Sequence, residues 1–396
     1  MIVRFTAGLV LLLILGGGHT AAQTASDTTE EVATSVLDNE FVRTQGKRGL
    51  DLLYNMRSDS ARAIFRRIDE RYPDHPIGPY LQGLNLWWTI MLDLTNTDHD
   101  EAFYDLMDEV IERSDALLDE TPNHFDALLF KAGAHGFKAR LASNRRSWWK
   151  ALRNGQKAIR PARQVATIAP PENGDYVFGK GLYDYYTAIL EEEYPAVKTF
   201  TWMIPDGNRK RGLRLLKRTA EEGYYVQTEA LYYLTQVYYL YEDDYLASRR
   251  YVQRLRERHP DNPYFHNFEG RVYARWNRWD QAEEVFDEVV ARCENGRPGY
   301  VAHMEEIARY YLGRAHLYDE EYDEALEDFG RLERLTDRDL DNNRLRIRSF
   351  LYQGMVLDAM GRRELAKRKY RHVLEMEDPV GAHDRAERYL DEPYSR

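Results

Sequence analysis

The sequence predicts an all-α fold built from a row of helix pairs. Three observations lead to this prediction. Apolar residues recur with helical periodicity almost throughout, runs of alternating apolar and polar residues are not evident, and one spacing of small and aromatic residues is repeated along the chain. With 396 residues the chain also exceeds what one hydrophobic core usually supports, which favours an array that grows by stacking.

The first 22 residues are predicted to be a signal peptide rather than part of the fold. Arg4 precedes an apolar run over residues 5–15, and the small residues at positions 20–22 suit cleavage. An uncleaved anchor is the alternative, but the run is shorter than the roughly 20 residues that span a bilayer. We therefore expect an exported protein, periplasmic or secreted, that does not span the membrane.

Residues 23–38 are predicted to be a flexible leader because they are rich in Thr, Ser, Asp and Glu and lack apolar periodicity. The helical repeats are expected to occupy the rest of the chain, residues 39–396. A capping helix is predicted at the end, over about residues 382–391.

The repeated spacing starts with a small residue, which is followed by an alanine and then, one helical turn later, by an aromatic residue. Its five copies are Gly49-Ala61-Phe65, Thr235-Ala247-Tyr251, Gly270-Ala282-Phe286, Gly313-Ala325-Phe329 and Gly354-Ala366-Tyr370. Two helices that approach closely need small residues at their contact, and the aromatic residue lies on the same helix face as the alanine. Regular helix pairs are therefore predicted over about residues 41–73 and 225–378.

Irregular repeats are predicted between these segments, over about residues 76–222. Gly83 and Gly133 lie on clear first helices whose partner helices start later than the pattern requires. Further along, Gly181 pairs with Gly212 across an insertion at residues 191–206.

Prolines at the ends of second helices, Pro73, Pro122 and Pro260, complete a pattern that resembles the tetratricopeptide repeat (TPR) family. The resemblance implies a right-handed α-solenoid of TPR-like antiparallel helix pairs. It also implies that the first helix of each pair lines a concave groove. The copies are spaced more widely than the family's period of roughly 34 residues, so loops or helices must be longer.

The composition and the motifs point away from catalysis. A formal net charge of -11 opposes binding of nucleic acid, and the chain has none of the common catalytic or metal-ligand motifs. We therefore expect no enzyme activity and no cofactor, but a scaffold or adaptor of the cell envelope that holds a peptide or protein segment. An accessory subunit of an envelope enzyme or transport complex is the alternative.

The TPR register places candidate partner-binding residues three positions before and one, four and five positions after each small residue. These positions are aromatic along most of the chain and basic towards its end. They are Tyr80, Trp87, Trp88, Phe130, Phe137, Phe178, Tyr185, Tyr186, Tyr232, Tyr239, Arg271, Arg275, Tyr310 and Arg314. Aromatic residues are enriched where proteins bind one another, but internal packing of the same rings is equally compatible with the sequence.

A second candidate surface is a basic helix predicted at residues 145–163, in a stretch without acidic residues. Its cations form one stripe, opposite an apolar face that includes Trp148, Leu152 and Gly155, and Pro161 is expected to end it early. The stripe consists of Arg146, Lys150, Arg153, Lys157 and Arg160. It would allow peripheral association with an anionic envelope surface, whereas a solvated outer face is the plainer interpretation.

Overall fold

The computed structural model describes residues 35–168, 174–193, 207–337, 344–378 and 380–395. Within these ranges the chain forms seventeen α-helices and no β-strand, so the predicted all-α class is confirmed. The predicted signal peptide, residues 23–34 of the predicted leader and residues 194–206 of the predicted insertion lie outside the described residues.

The helices are numbered here in chain order. They are α1 (Glu40–Tyr54), α2 (Ser58–Arg71), α3 (Ile77–Leu92), α4 (Asp100–Glu120), α5 (Phe125–Asn144), α6 (Trp148–Ile168), α7 (Val177–Glu193), α8 (Arg209–Glu222), α9 (Gln227–Leu240), α10 (Tyr245–Arg258), α11 (Pro263–Arg275), α12 (Trp279–Glu294), α13 (Ala302–Tyr318), α14 (Tyr322–Leu335), α15 (Arg344–Ala359), α16 (Arg363–Glu375) and α17 (His383–Asp391).

Consecutive helices pack as pairs, and the chain divides into two compact units. Unit 1 comprises residues 1–255 and contains the pairs from α1/α2 to α9/α10, while unit 2 comprises residues 256–396 and contains the pairs from α11/α12 to α15/α16. The last helix, α17, packs on α15 and α16.

In the four regular pairs that have a glycine, this glycine makes room for the aromatic ring of the same pair. A Cβ atom added to Gly313 would lie 2.8 Å from Cζ of Phe329, and one added to Gly270 would lie 2.6 Å from Cζ of Phe286. The same rings stack on the next pair, since the Phe286 and Tyr311 ring centroids are 4.9 Å apart. The ring therefore fills the space inside its own pair as well as the space to the next pair.

Most of the turns inside the pairs share one backbone feature. They have a single residue in the left-handed region, for example Met56 (φ 58°), Asn277 (φ 58°) and Glu320 (φ 65°), whereas the turn between α3 and α4 has none. In the irregular part, α4 and α6 start later after Gly83 and Gly133 than α14 does after Gly313. The pair α7/α8 is unusually close, since a Cβ atom on Gly212 would lie 2.8 Å from the carbonyl oxygen of Gly181.

The N-terminal end of unit 1 packs against its fourth and fifth pairs. Tyr225 donates a hydrogen bond to the carbonyl of Leu37 (2.6 Å), and the guanidinium carbon of Arg43 lies 4.3 Å from the Tyr224 ring centroid. Residues 35–38, which were predicted to belong to the flexible leader, are ordered here. They include a 3₁₀ turn, Val36–Asp38, and the Val36 N–H donates to Asp126 (2.7 Å). Buried Asp126 therefore holds residues 35–38 in place, although the composition of this segment predicted that it would be flexible.

Candidate partner-binding surfaces

The aromatic residues predicted for unit 1 lie in its interior rather than along an open groove. Seven of them are buried. Tyr239 is 7% exposed, and the other six are at most 5% exposed: Trp87, Trp88, Phe130, Tyr185, Tyr186 and Tyr232. Tyr80, Phe137 and Phe178 are partly buried. Of the two interpretations that the sequence left open, internal packing is therefore the one that describes these rings.

The rings form one connected layer across the first helices of unit 1. Trp87 of α3 contacts Phe137 of α5 with ring centroids 5.4 Å apart, and Trp88 contacts Tyr232 of α9 at 5.9 Å. Tyr80 packs edge-on against Phe130 (5.0 Å). Helices far apart in the sequence thus share a single aromatic core.

Two ionisable residues, Glu229 and Arg140, lie within this layer. The carboxylate of Glu229 accepts hydrogen bonds from the Tyr54 hydroxyl (3.0 Å) and from the indole N–H of Trp88 (3.3 Å). Burial raises the pKa of Glu229, and the positive charge of Arg140 opposes that rise. Arg140 in turn donates to the hydroxyls of Tyr232 (2.9 Å) and Tyr233 (2.6 Å). These polar groups satisfy one another and hold α1, α3, α5 and α9 together.

Unit 2 presents a different arrangement, in which cations rather than carboxylates surround the tyrosines. The ring centroids of Tyr310 on α13 and Tyr352 on α15 are 5.7 Å apart. The guanidinium carbon of Arg314 lies 5.4 Å from the centroid of the Tyr310 ring and 5.5 Å from that of the Tyr352 ring. Arg348 lies 5.6 Å from the Tyr310 ring, and Arg385 of α17 lies 5.3 Å from the Tyr352 ring. We call these five residues the arginine–tyrosine site.

The three arginines of this site are partly exposed as whole residues, and in the part of the chain that the structure describes none has a carboxylate within ion-pair distance. Other arginines of unit 2 do have such partners: Arg309 contacts Asp328 (2.8 Å) and Arg363 contacts Asp358 (3.0 Å). The arginine–tyrosine site therefore carries a local excess of positive charge.

The positive charge lowers the pKa of both tyrosines, but their net shifts differ. For Tyr310 burial outweighs Arg314 and Arg348, so its pKa is raised. Burial would also raise the pKa of Tyr352, but Arg314 and Arg385 outweigh it, so the pKa of Tyr352 falls below its usual value. The site thus stabilises negative charge at the Tyr352 hydroxyl, which is the property needed to bind an anionic group.

Two members of this site, Tyr310 and Arg314, were predicted from the repeat register, whereas Arg348, Tyr352 and Arg385 were not. The register selects fixed offsets from Gly354, and these offsets miss Arg348 and Tyr352, while Arg385 lies on the capping helix. The remaining predicted residues of unit 2 lie on α11, where the Arg271 guanidinium covers the Phe268 ring (5.3 Å) and Arg275 is exposed.

The basic stripe differs from its prediction in three respects. Arg146 lies in the turn before α6 with φ 56°, and the neighbouring Arg145 binds Asp100 (2.7 Å). The helix starts at Trp148 and continues through Pro161 to Ile168. Its buried face consists of Ala151, Gly155, Ala158, Pro161 and Val165, so Trp148 and Leu152 are exposed. Small side chains face inward because Ala151 packs closely against Ala139 and Ala142 of α5.

Among the described residues there is no group of His, Cys, Asp and Glu side chains that could hold a metal ion. The described helices also include none that is long and apolar enough to cross a bilayer.

The helix pairs pack like those of an α-helical repeat protein, and they resemble tetratricopeptide repeats. Residues 237–297, from the end of α9 to just beyond α12, match the tetratricopeptide repeat family model. The predicted resemblance to TPR proteins is thus confirmed for this segment by sequence, and the pairs α1/α2, α13/α14 and α15/α16 repeat the glycine–ring contact of α11/α12.

Several solved structures of repeat proteins are similar to the chain at low identity. A human IFIT1 dimer with PPP-AAAA is 15% identical, with 81% of this chain and 69% of that chain covered and a TM-score of 0.37. Yeast Tom70 is 11% identical, with 89% and 95% covered and a TM-score of 0.26. The APC/C hetero-tetramer Cut9-Hcn1 is 11% identical, with 90% and 91% covered and a TM-score of 0.25. No curated protein sequence matches the chain.

Proposed function

We propose that the protein is a non-catalytic scaffold of the cell envelope that holds an acidic segment of a partner protein at the arginine–tyrosine site. The observation that carries this proposal is the set of three partly exposed guanidiniums, on α13, α15 and α17, without carboxylate partners among the described residues. An accessory subunit of an envelope complex would use the same site and differ only in the identity of its partner.

Electrostatics favours an anionic ligand at this site. Three like charges around one pair of rings repel one another, and the partial burial of Arg314 weakens the screening by water. The Nε–H of Arg314 is buried and has no hydrogen-bond partner in the described structure. A carboxylate from a partner would relieve the repulsion and form charge-assisted, bidentate hydrogen bonds with a guanidinium.

The residue types also suit a protein partner. Arginine and tyrosine are enriched among the residues that contribute most to protein–protein affinity. The Tyr310 and Tyr352 rings hold the guanidiniums by cation–π contacts, so little side-chain entropy is lost when a ligand binds. A nucleic acid is a poorer match, because the formal net charge of -11 repels an extended phosphate backbone.

A labelled glutamate-rich peptide tests this proposal by fluorescence anisotropy, with a glutamine-rich peptide of equal length as the ligand control. We expect the glutamate-rich peptide to bind better, and we expect Arg348→Gln to weaken its binding by about tenfold, because one guanidinium–carboxylate interaction is lost. The matched variant is Arg371→Gln on α16, which removes the same charge from an exposed position.

Equal loss of binding in the Arg348→Gln and Arg371→Gln proteins would show that only net charge matters and would reject the site. Binding of the glutamine-rich peptide with the same affinity would reject the acidic ligand class. Far-ultraviolet circular dichroism of both variants confirms that each remains folded.

A further inference from the structure

The outer face of α6 combines exposed aromatic side chains with unpaired cations. Trp149 is 84% exposed, Trp148 41% and Leu152 40%, so three large apolar side chains project from the first turns of the helix. Burying such side chains away from water is favourable, and a cluster of them on a surface indicates a binding region.

The cations beside these side chains have no acidic partners in the part of the chain that the structure describes. All five cations of the basic stripe are exposed, and none forms an ion pair with a described residue. They are Arg146, Lys150, Arg153, Lys157 and Arg160. The basic residues of the neighbouring α5 behave differently, since Lys131 binds Asp115 and Lys138 binds Asp108. Arg145, in the turn between the two helices, binds Asp100. Within the α5/α6 pair, the exposed cations without an ion pair thus lie on the outer face of α6 and in the turn before it.

We propose that this face docks on a bilayer surface that contains anionic phospholipids. The five cations would contact the headgroups, while Trp149 and its neighbours Trp148 and Leu152 would enter the region between headgroups and acyl chains. This surface, called the α6 patch below, lies in unit 1 and does not depend on the arginine–tyrosine site of unit 2.

The combination of residue types favours a membrane over an acidic protein. Helices that lie in the plane of a membrane surface carry Lys and Arg on the polar side and Trp, Phe or Leu on the apolar side. Tryptophan is enriched at the membrane–water interface, where an apolar ring with one polar N–H is well accommodated. An acidic protein would account for the cations, but it would not require a tryptophan that projects almost wholly into water.

The acidic character of the whole chain does not oppose this interaction at contact distance. The formal net charge is -11, but electrostatic interactions between exposed charges are screened beyond about 8–10 Å at physiological ionic strength. A headgroup next to Lys150 or Arg153 therefore responds mainly to the α6 patch. The inner face of α6 remains packed on α5, so the helix would lie on the surface as part of the folded unit.

Co-sedimentation with phospholipid vesicles tests the proposal with the full mature chain. We expect the protein to bind vesicles of mixed phosphatidylcholine and phosphatidylglycerol, to bind vesicles of phosphatidylcholine alone weakly, and to dissociate as salt is raised. The charge variant Arg153→Glu with Lys157→Glu should lose at least about tenfold in vesicle affinity. Its matched control, Arg66→Glu with Arg67→Glu on exposed positions of α2, changes net charge equally and should bind like the wild type.

The apolar part of the α6 patch has a separate test. Trp149→Ala should weaken vesicle binding by about tenfold, whereas Leu246→Ala, which truncates another exposed apolar residue of unit 1, should not. Brominated phospholipids should quench part of the tryptophan fluorescence of the wild type, and this part should disappear in the Trp149→Ala protein.

Three outcomes would overturn the proposal. The first is equal binding to neutral and mixed vesicles. The second is an equal loss of binding in the charge variant and in its α2 control. The third is tight binding of polyglutamate at the α6 patch, abolished by Arg153→Glu with Lys157→Glu, together with no binding to mixed vesicles; this result would assign the patch to an acidic protein instead.

Discussion

Individual residues in this protein are constrained by close contacts between helices. The Phe329 ring lies where a Cβ atom of Gly313 would be, and Ala325 is fully buried beside the same ring. Interiors packed at this density have no room for an added side chain. Gly330, on the same pair, has only the flexible end of Arg334 within reach of an added Cβ.

Gly313→Leu should therefore lower the free energy of unfolding by about 1–3 kcal/mol or more, because the new side chain must displace the Phe329 ring. Gly330→Ala is the matched variant and should stabilise by about 0.5–1 kcal/mol, since it improves helix propensity without a clash. Urea unfolding measures both. Equal stability of the Gly313→Leu protein and the wild type would mean that the repeat register is wrong.

His135 of α5 provides a pH-dependent prediction. Its side chain is buried, and burial lowers its pKa from 6.5 to about 4; the nearby charges of Lys157 and Lys138 act in the same direction, while a hydrogen bond with Asn154 opposes them. A folded-state pKa below the unfolded value means that the unfolded chain binds more protons between these two pH values. The stabilising contribution is thus present above pH 6.5 and is lost as the pH falls towards about 4.

His135→Gln should reduce this loss of stability by roughly 1–3 kcal/mol over the same pH range. Chemical unfolding at several pH values measures the effect. An unaltered pH dependence in the His135→Gln protein would show that the residue does not titrate as described.

At the scale of helices, the side-chain pattern identifies which face packs inward only where that face is rich in large apolar residues. For α13 and α14 the glycine, the alanine and the ring predict the packing correctly. For α6 the prediction was wrong, because small residues face α5 at close range and leave Trp148 and Leu152 outside. The periodicity of apolar residues reflects their hydrophobicity alone, whereas the distance between two packed helices depends on the size of the residues at their contact.

Replacing Trp87 of α3 tests whether its ring belongs to the core or to a binding surface. Its ring contacts Phe103, Phe137 and the guanidinium of Arg140, and it is 2% exposed. Trp87→Ala should lower the free energy of unfolding by about 3–5 kcal/mol. Trp149→Ala, at an exposed position of the same unit, should change it by no more than about 0.5 kcal/mol. Thermal unfolding followed by circular dichroism compares the two. A destabilised Trp149→Ala protein beside an unaffected Trp87→Ala protein would reverse the assignment of core and surface.

At the scale of the whole molecule, the sequence predicts a row of helix pairs but not what fills the inner side of unit 1. Repeat stacking relates neighbouring pairs only, whereas Glu229 accepts hydrogen bonds from Tyr54 and Trp88, which lie in the first and second pairs. Contacts between such distant residues depend on how non-adjacent pairs pack together, which no local pattern specifies. For this reason the aromatic positions predicted as a groove in unit 1 are mostly buried.

The measurement that tests the central claim most directly is affinity capture from an envelope extract with a chain that lacks the predicted signal peptide, followed by identification of the proteins that co-purify. Three baits are compared: the wild type, Arg348→Gln with Arg385→Gln, and the control Arg371→Gln. We predict that the wild type and the control capture the same partner, that this partner contains an acidic segment, and that the double variant loses it. Capture of the same proteins by all three baits would contradict the assignment of the arginine–tyrosine site as the partner-binding surface.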